Sequence, residues 1–152
     1  KAAVEKMGGK LIEAHVATSA DVMQAAQSLV GRIQALHISS DNTTVSAFES
    51  VVKICNENKI PLFVGDTGSV PRGAIAAYGL DYFLIGYTAG KQAAQILKGA
   101  KPGDVPAGMA SGYSLWINLK AAQLQGAKID KALAEKTANK LWDEQGNVIK
   151  GK

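Results

Sequence analysis

Short polar side chains are concentrated in two loops of the sequence, and each loop comes directly after an apolar run. The first loop covers residues 39–44 and follows the apolar run 35–39, and the second covers residues 66–70 and follows the run 61–65. In an open parallel sheet, ligands bind outside the carboxyl ends of the strands, where loops lead into helices. The two candidate ligand-binding loops are therefore residues 39–44 and 66–70.

The chemistry of these side chains suits a small polar ligand. They donate and accept hydrogen bonds, and Asp66 places a carboxylate where a ligand cation would meet it. Either loop alone also has a structural interpretation, in which one of residues 41–43 caps the following helix. In the same interpretation, Asp66 and Ser69 only shape a turn. Two such loops at the same edge favour a binding cleft.

Patterns typical of catalysis or cofactor binding are missing from the sequence. It contains no Gly-x-x-x-x-Gly-Lys-Ser/Thr and no Gly-x-Gly-x-x-Gly after a strand, so nucleotide phosphates have no obvious cradle. His15 and His37 lack companions at metal-ligand spacing. Cys55 falls on the apolar stripe of its helix, which favours a packed thiol over a nucleophile. We therefore predict a protein that is not an enzyme and that uses no metal and no cofactor.

The elements around the two loops alternate between strands and helices. Apolar residues recur at helical spacing from Val22 to Ile33 and from Val45 to Cys55. The alternation predicts an α/β fold, a three-layer Rossmann-like lobe with a mostly parallel sheet and helices on both faces. The predicted strands are 11–16, 35–39, 61–65, 73–78 and 113–117. The predicted helices are 1–9, 45–55, 81–97 and 129–141, together with a helix whose N-cap is Ser19 and a short helix that Asn118 caps.

The long predicted helix 81–97 carries a stripe of small residues. Gly86, Gly90, Ala93 and Ala94 lie on one face together with Leu97. Small residues at this spacing let a helix lie close against its neighbour. The sequence therefore predicts that this face packs tightly.

Composition and charge narrow the class of protein. With 152 residues, 47% of them hydrophobic and 20% charged, the chain fits one globular domain. The net charge of +4 comes with only two arginines, Arg32 and Arg72, and with lysines spread over many segments. Surfaces that follow nucleic-acid phosphates usually cluster both residue types, so we predict no nucleic-acid partner. No apolar run approaches the length of about 18 residues that a membrane-spanning helix needs.

The chain opens at Lys1 without a methionine, and residues 1–9 are typical of the last turns of a helix with a glycine C-cap. A natural protein rarely begins in this way, so we interpret the chain as a fragment. The lack of a signal peptide then carries no information about export.

Several short stretches resemble one protein family in the same order along the chain. They are Ser40-Asp-Asn-Thr43, Lys59-Ile-Pro-Leu-Phe-Val-Gly-Asp66, Val70-Pro-Arg-Gly-Ala74, Tyr78-Gly-Leu-Asp-Tyr82, Gly86-Tyr-Thr-Ala-Gly90, Ile96-Leu-Lys-Gly99, the segment around Pro106, and Ile117-Asn-Leu-Lys-Ala-Ala122. Their order across roughly residues 1–129 resembles the ABC-transporter solute-binding proteins of the tryptophan/tyrosine-binding type.

The resemblance implies a type I periplasmic-binding-protein fold, with two lobes hinged around a cleft. Such a protein is periplasmic or extracellular, is anchored as a lipoprotein in some relatives, and hands its ligand to an ABC permease. Residues 1–105 would form the C-terminal ligand-binding lobe, whose first strand would lie before residue 1. Residues 106–152 would hold the crossover and terminal helices that return to the absent N-terminal lobe. The surface left by a missing lobe could drive the fragment to form a homodimer.

The resemblance also implies that seven candidate residues line this lobe's side of the cleft, which closes on a small ligand by a hinge motion. These candidate residues are Ser40, Asp41, Asn42, Thr43, Asp66, Thr67 and Ser69. An aromatic amino acid is one candidate ligand. Asp66 or Asp41 would be the partner of its ammonium group, and its carboxylate would be held by the missing lobe. The alternative is the effector-binding domain of a transcription regulator, which shares the two-lobed plan.

Overall fold

The computed structural model describes residues 1–108 and 112–151 of the chain. Its helices are α1 (Ala2–Lys6), α2 (Asp21–Leu29), α3 (Asn42–Ser46), α4 (Phe48–Asn58), α5 (Tyr82–Leu97), α6 (Leu119–Leu124) and α7 (Lys131–Thr137). Its strands are β1 (Leu36–Ile38), β2 (Leu62–Val64), β3 (Ala76–Leu80), β4 (Tyr113–Asn118), β5 (Lys140–Trp142) and β6 (Val148–Lys150). Short 3-10 turns cover Thr67–Ser69 and Pro102–Asp104.

The strands of the described residues form one six-stranded sheet in the order β1-β2-β3-β4-β5-β6. The first three are parallel neighbours, with Ile38 opposite Val64 and Val64 opposite Ala77. β4 runs antiparallel to β3 and parallel to β5, and β6 runs antiparallel to β5. The sheet is therefore mostly parallel, as the sequence predicts, and the carboxyl ends of β1, β2 and β3 share one edge.

Helices pack on both faces of this sheet. On one face, α2 and α4 cover β1 and β2 with Phe48 fully buried between them. On the other face, Leu141 of β5 packs against Ala134 of α7. Consecutive strand residues point to opposite faces, so Ala77 belongs to the first core while Ala76 packs against the second. The predicted α/β fold with two covered faces is confirmed.

Residues 11–16 do not form a strand, and the sequence prediction is wrong there. Their backbone groups make no hydrogen bond with any residue that the structure describes. A strand exists only where a neighbouring chain segment pairs with it, and β1 lies at the edge of the sheet with β2 as its described neighbour. The apolar pattern of a strand is present, but its hydrogen-bonding partner is not among the described residues.

α2 differs from the prediction at both ends. Its N-cap is Ala20 rather than Ser19, and the local hydrogen bonds come instead from Thr18, whose N and Oγ1 donate to Asp21 Oδ2 at 3.1 and 2.7 Å. The helix ends at Leu29, because Gly31 adopts a left-handed φ of 76° that interrupts the helical pattern.

β3 lies three residues later than the strand predicted at 73–78. The chain before it closes a turn, in which Gly73 N donates to Val70 O at 3.2 Å and Ala74 N donates to Ser69 O at 3.3 Å. Gly73 has a φ of 126°, which residues with a side chain rarely adopt. The turn therefore delays the strand until Ala76.

The C-terminal part contains a shorter helix than the predicted 129–141. α7 ends at Thr137. Asn139 N then donates to Leu115 O, and Leu115 N donates to Asn139 Oδ1, both at 2.7 Å. These bonds start β5 beside β4. Residues 113–118 and 140–142 thus belong to this sheet, and a return of residues 106–152 to another lobe stays a prediction.

The predicted helices at 118 and 81–97 both form. Asn118 Oδ1 accepts from Ala121 N at 3.0 Å, which confirms the predicted cap. α5, however, buries none of its residues, and no heavy atom lies within 4 Å of a Cβ added at Gly86 or Gly90. The predicted tight packing of the small-residue stripe is therefore not found within the described residues. None of the helices described is both long and apolar enough to span a bilayer.

Candidate functional site

The ends of β1 and β2 bring the two polar loops into contact. Gly65 N donates to Ile38 O at 2.9 Å, so the chain leaves both strands side by side. A Cβ placed on Gly65 would lie 2.9 Å from Ser40 Oγ, and one placed on Gly79 of β3 would lie 2.6 Å from Gly65 O. The two glycines permit this close approach. We call residues 39–44 and 65–69 together the carboxyl edge.

Asp41 caps helix α3 in the first loop. Its Oδ1 accepts from Thr43 N at 2.8 Å and from Thr44 N at 3.1 Å, and its Oδ2 accepts from Thr44 Oγ1 at 2.8 Å. The hydrogen bond from the Thr44 hydroxyl is the largest cause that holds the pKa of Asp41 below its ordinary value, followed by backbone donors. The capping interpretation is therefore confirmed for Asp41, and its carboxylate is ionised at neutral pH.

Asp66 has a similar capping role in the second loop, but more of the hydrogen-bonding capacity of its carboxylate stays free. Its Oδ1 accepts from Ser69 N at 2.9 Å and caps the 3-10 turn. No described residue donates to its Oδ2, and the side chain is half-buried. One oxygen of this carboxylate is therefore open to a cationic or hydrogen-bonding ligand.

The exposure of the candidate residues separates them into two groups. Ser40, Asp41 and Asn42 are exposed, and Thr43 and Asp66 are half-buried. Thr67 and Ser69 are buried at 3% and 0% exposure, and Ser69 Oγ is the buried side-chain atom that has no hydrogen-bond partner among the described residues. Thr67 and Ser69 thus support the loop from inside, and a ligand contact by any of the seven residues stays a prediction.

Arg72 connects the end of the second loop to the helices that follow the first loop. The sequence did not predict this contact. Its Nε donates to Glu49 Oε1 at 2.9 Å, and its Nη2 donates to Glu49 Oε2 and to Val45 O, both at 3.0 Å. Its guanidinium also lies 4.9 Å from the centre of the Phe48 ring. These contacts fix the end of the second loop against the helices that follow the first. Glu49 lies 23 residues from Arg72, so no local pattern predicts their pairing. The scarcity of arginine in the sequence is the one signal that singles out Arg72.

Cys55 is a packed thiol, as the sequence predicts. It is fully buried in the core between α4 and the sheet. Burial raises the pKa of the Cys55 thiol to about 11, because the low-dielectric interior disfavours the thiolate. The reactive form of a cysteine is the thiolate, so Cys55 remains a protonated, buried thiol at neutral pH.

A cavity of about 430 Å³ lies beside the carboxyl edge, between residues 11–16 and β1. We call this cavity the edge trough. Apolar side chains of α2, β1 and residues 11–16 form most of its lining. Of the seven candidate residues, Asp41 alone lines it. The edge trough is therefore a different place from the predicted cleft around Asp66.

Residues 1–141 match the model of the family described as ABC transporter substrate binding protein. The chain belongs to this substrate-binding protein family. It is 40% identical over 129 residues to a tyrosine-binding protein of Clostridioides difficile (strain R20291). The aligned segment covers 83% of this chain and 37% of that protein.

Solved structures of similar proteins have the same fold. A conserved domain protein from Vibrio cholerae superposes with a TM-score of 0.80 at 36% identity, over 92% of this chain and 47% of that one. An ABC domain from Streptococcus pneumonia in complex with L-Trp superposes with a TM-score of 0.80 at 30% identity, over 93% of this chain and 48% of that one. This substrate-binding chain therefore spans about half the length of these solved relatives and just over a third of the curated one.

Proposed function

We propose that the chain forms one wall of an inter-lobe cleft in which an ABC import system captures an aromatic amino acid. The observation that carries the proposal is the contact between the two polar loops at Ser40 and Gly65. This contact gathers exposed hydroxyl, amide and carboxylate groups at the carboxyl ends of parallel strands, where α/β proteins bind ligands. Two relatives support this ligand class, since one is described as a tyrosine-binding protein and the other is solved in complex with L-Trp.

The ligand's ammonium group pairs with Asp66 in this proposal. The free Oδ2 of Asp66 accepts a charge-assisted hydrogen bond, while Asn42 and Ser40, whose side chains make no hydrogen bond within the described residues, bind polar atoms nearby. The ligand's carboxylate is held from a second lobe. The ligand then stabilises the closed state because it contacts both lobes, which is the requirement for hinge closure.

The remaining parts of the proposal follow from the family. Its members are substrate-binding proteins, so the chain acts as a carrier and not as an enzyme, and its partner is an ABC permease. The place of action is the periplasm or the cell exterior, with lipid anchoring as in some relatives. A family match over residues 1–141 favours this transport role over the effector domain of a transcription regulator.

Calorimetry on the complete substrate-binding protein tests the site. L-Tyr and L-Trp are titrated into the wild type and into Asp66→Asn and Asn42→Ala. Asn at position 66 keeps an oxygen that can accept from Ser69 N, so the loop is retained while the charge is lost. A hydrogen bond to a charged group contributes about 1.5–3 kcal/mol, so the affinity should fall roughly 10- to 150-fold for Asp66→Asn.

Asp104→Asn is the matched control, because Asp104 is an exposed residue in the 3-10 turn Pro102–Asp104, away from the carboxyl edge. Its affinity should equal that of the wild type. Unchanged affinity in Asp66→Asn and Asn42→Ala would remove both residues from the site. Binding of neither amino acid by the wild type would reject the ligand class.

A further inference from the structure

Two exposed tyrosines stack on each other beside the carboxyl edge. Tyr78 of β3 and Tyr113 of β4 are 67% and 60% exposed, and their ring centres lie 5.2 Å apart with 20° between the ring planes. Because Tyr113 is paired with Leu80 in the antiparallel register, the two rings are diagonal neighbours on one face of the sheet. Aromatic side chains are typical of cores and interfaces, so an exposed stacked pair indicates a binding surface.

The stack leaves one face of the Tyr78 ring turned toward β2. β3 lies between β2 and β4 in the sheet, and Tyr113 of β4 covers the ring face of Tyr78 that is turned toward β4. The opposite ring face is therefore directed across the strands toward β2. Since the Tyr78 side chain is largely exposed, this ring face is open to a ligand.

Gly65 lies on the β2 side of this open ring face. Val64 is opposite Ala77 in the parallel register, and both point into the first core. The next residues along the two strands, Gly65 and Tyr78, therefore lie side by side on the other face of the sheet. Gly65 has no side chain that could cover the ring. A Cβ added to Gly65 would lie 2.9 Å from Ser40 Oγ, so the Ser40 hydroxyl and the Tyr78 ring flank this glycine.

The carboxylate of Asp66 is close to the same place. A Cβ added to Gly79 would lie 3.7 Å from Asp66 Cα. Because Tyr78 directly precedes Gly79, the Cα atoms of Tyr78 and Asp66 are less than about 10 Å apart. In an aromatic amino acid, a single methylene group joins the ring to the carbon that carries the ammonium group. A ligand whose ammonium group pairs with Asp66 therefore reaches the space over Gly65 with its ring.

We propose that the ring of the ligand stacks on Tyr78 over Gly65, and that Tyr78 thereby selects aromatic over aliphatic amino acids. This inference rests on the function proposed above and adds the residue that recognises the ligand's side chain. Offset stacking of two aromatic rings is favourable beyond the area that it buries, and an aliphatic side chain lacks this contribution. Tyr113 is a positioning residue, because it contacts the Tyr78 ring and not the ligand.

Calorimetry with L-Tyr and L-Leu on the complete substrate-binding protein tests the inference. L-Leu has the same ammonium and carboxylate groups as L-Tyr but no ring. Tyr78→Leu should lower the affinity for L-Tyr roughly 2- to 12-fold, the equivalent of one lost aromatic pair, and should leave the affinity for L-Leu unchanged. Tyr78→Phe keeps the ring and should retain the selectivity for L-Tyr. Tyr113→Leu should cause a smaller loss for L-Tyr than Tyr78→Leu does.

A pair of ligands that differ in ring charge separates stacking from apolar contact. Fluorination reverses the charge pattern of an aromatic ring, so pentafluoro-L-phenylalanine should stack on the electron-rich Tyr78 ring more tightly than L-Phe does. The ratio of these two affinities should fall at least about 2-fold in Tyr78→Leu and persist in Tyr78→Phe. The matched control is Tyr87→Leu, the same change at an exposed tyrosine of α5 that stacks on Phe83. It should leave both ratios as in the wild type.

Two results would overturn this inference and leave the proposed function intact. An unchanged ratio of L-Tyr to L-Leu affinity in Tyr78→Leu would mean that the ring of the ligand lies elsewhere. Equal losses for both ligands would mean that Tyr78 acts on the position of the loops and not on the ring. If Tyr78→Leu does not fold, the fluorinated pair decides in the wild type and Tyr78→Phe, where equal affinities for both ligands reject stacking. A wild type that binds neither L-Tyr nor L-Trp would reject the proposed function, and the inference with it.

Discussion

The guanidinium of Arg72 forms a two-point contact with the carboxylate of Glu49, with Nε 2.9 Å from Oε1 and Nη2 3.0 Å from Oε2. A third hydrogen bond, from Nη2 to Val45 O, ties the same side chain to helix α3. Arg72 ends the loop that begins at Asp66, and α3 follows the loop that begins at Ser40. The relative position of the two candidate loops therefore depends on this one side chain as well as on the sheet.

Arg72→Gln should weaken ligand binding more than it weakens the fold. Glu49 is largely exposed, and such pairs contribute about 1 kcal/mol or less to the free energy of unfolding. Without Arg72 the second loop samples other positions, which lowers the fraction of binding-competent molecules. The apparent affinity falls by the same factor, and we expect it to fall roughly 3- to 10-fold. Urea unfolding and calorimetry on the complete protein measure the two effects.

The control for this substitution is Arg32→Gln, since among the described residues the Arg32 side chain donates a hydrogen bond only to Ser28 O near the end of α2. It should leave the affinity unchanged. Equal affinities for Arg72→Gln and the wild type would mean that the sheet alone positions the loops.

The same pair predicts a pH dependence of stability. The hydrogen bond from Arg72 is the largest cause that lowers the pKa of Glu49 below its ordinary value of 4.5. A lowered pKa in the folded state stabilises the protein above pH 4.5, and this contribution is lost as the pH falls through the lower folded-state pKa. Glu49→Gln should thus be less stable than the wild type at neutral pH, by about 1 kcal/mol or less.

The difference between these two proteins should shrink as the pH falls below 4.5 and vanish once the pH is below the lowered folded-state pKa of Glu49. Unfolding curves at several pH values between neutral and acid measure it. A stability difference that stays constant over this range would mean that Glu49→Gln acts through packing and not through the charge.

Much of the fold follows from local patterns in the sequence. The helical spacing of Val51 and Cys55 predicts the buried face of α4, and the continuous apolar run at 61–65 predicts a central strand. Asn118 and Asp41 are caps whose role depends only on residues two or three positions away. These features are predictable because their partners are close in the sequence.

The sequence predictions are wrong where a residue's interaction partner is distant in the sequence. Residues 11–16 have a strand pattern but no strand, because strand formation depends on a neighbour that the pattern does not contain. Lys140 and Leu141, which the sequence places in the helix 129–141, belong to β5 because Asn139 pairs with Leu115, 24 residues away. The burial of Thr67 and Ser69 has the same origin, since the 3-10 turn packs against β3 and β4. Sequence reasoning identified the loops but not which of their side chains face outward.

Gly79→Ala should destabilise the protein where β3 lies against the carboxyl edge. The added Cβ would lie 2.6 Å from Gly65 O, and the hydrogen bond from Gly65 N to Ile38 O leaves this backbone little room to move. Such overpacking costs about 1–3 kcal/mol of unfolding free energy. Gly103→Ala is the control, because no heavy atom lies within 4 Å of its added Cβ. A loss of less than about 0.5 kcal/mol, the usual range of harmless surface substitutions, would show that β2 and β3 separate easily at this point.

Substitution of the glycines in α5 should have the opposite effect. An alanine at Gly86 or Gly90 meets no heavy atom within 4 Å, and alanine stabilises a helix interior by about 0.8–1.0 kcal/mol relative to glycine. Gly86→Ala and Gly90→Ala should therefore each slow amide exchange along α5 in the 152-residue chain, about 4- to 5-fold by the conversion of that free energy. Exchange in α4, which has its own core contacts, serves as the internal control.

The result also tells whether another surface covers this helix. α5 leaves all its residues at least partly exposed, and its stripe of small residues is typical of a helix that lies close to a neighbour. If a neighbour is present, the added methyl group meets it, and exchange in α5 becomes faster rather than slower. Faster exchange that reverts on dilution would assign the neighbour to a second copy of the chain, whereas slower exchange at every concentration would mean that the helix stands free in the 152-residue chain.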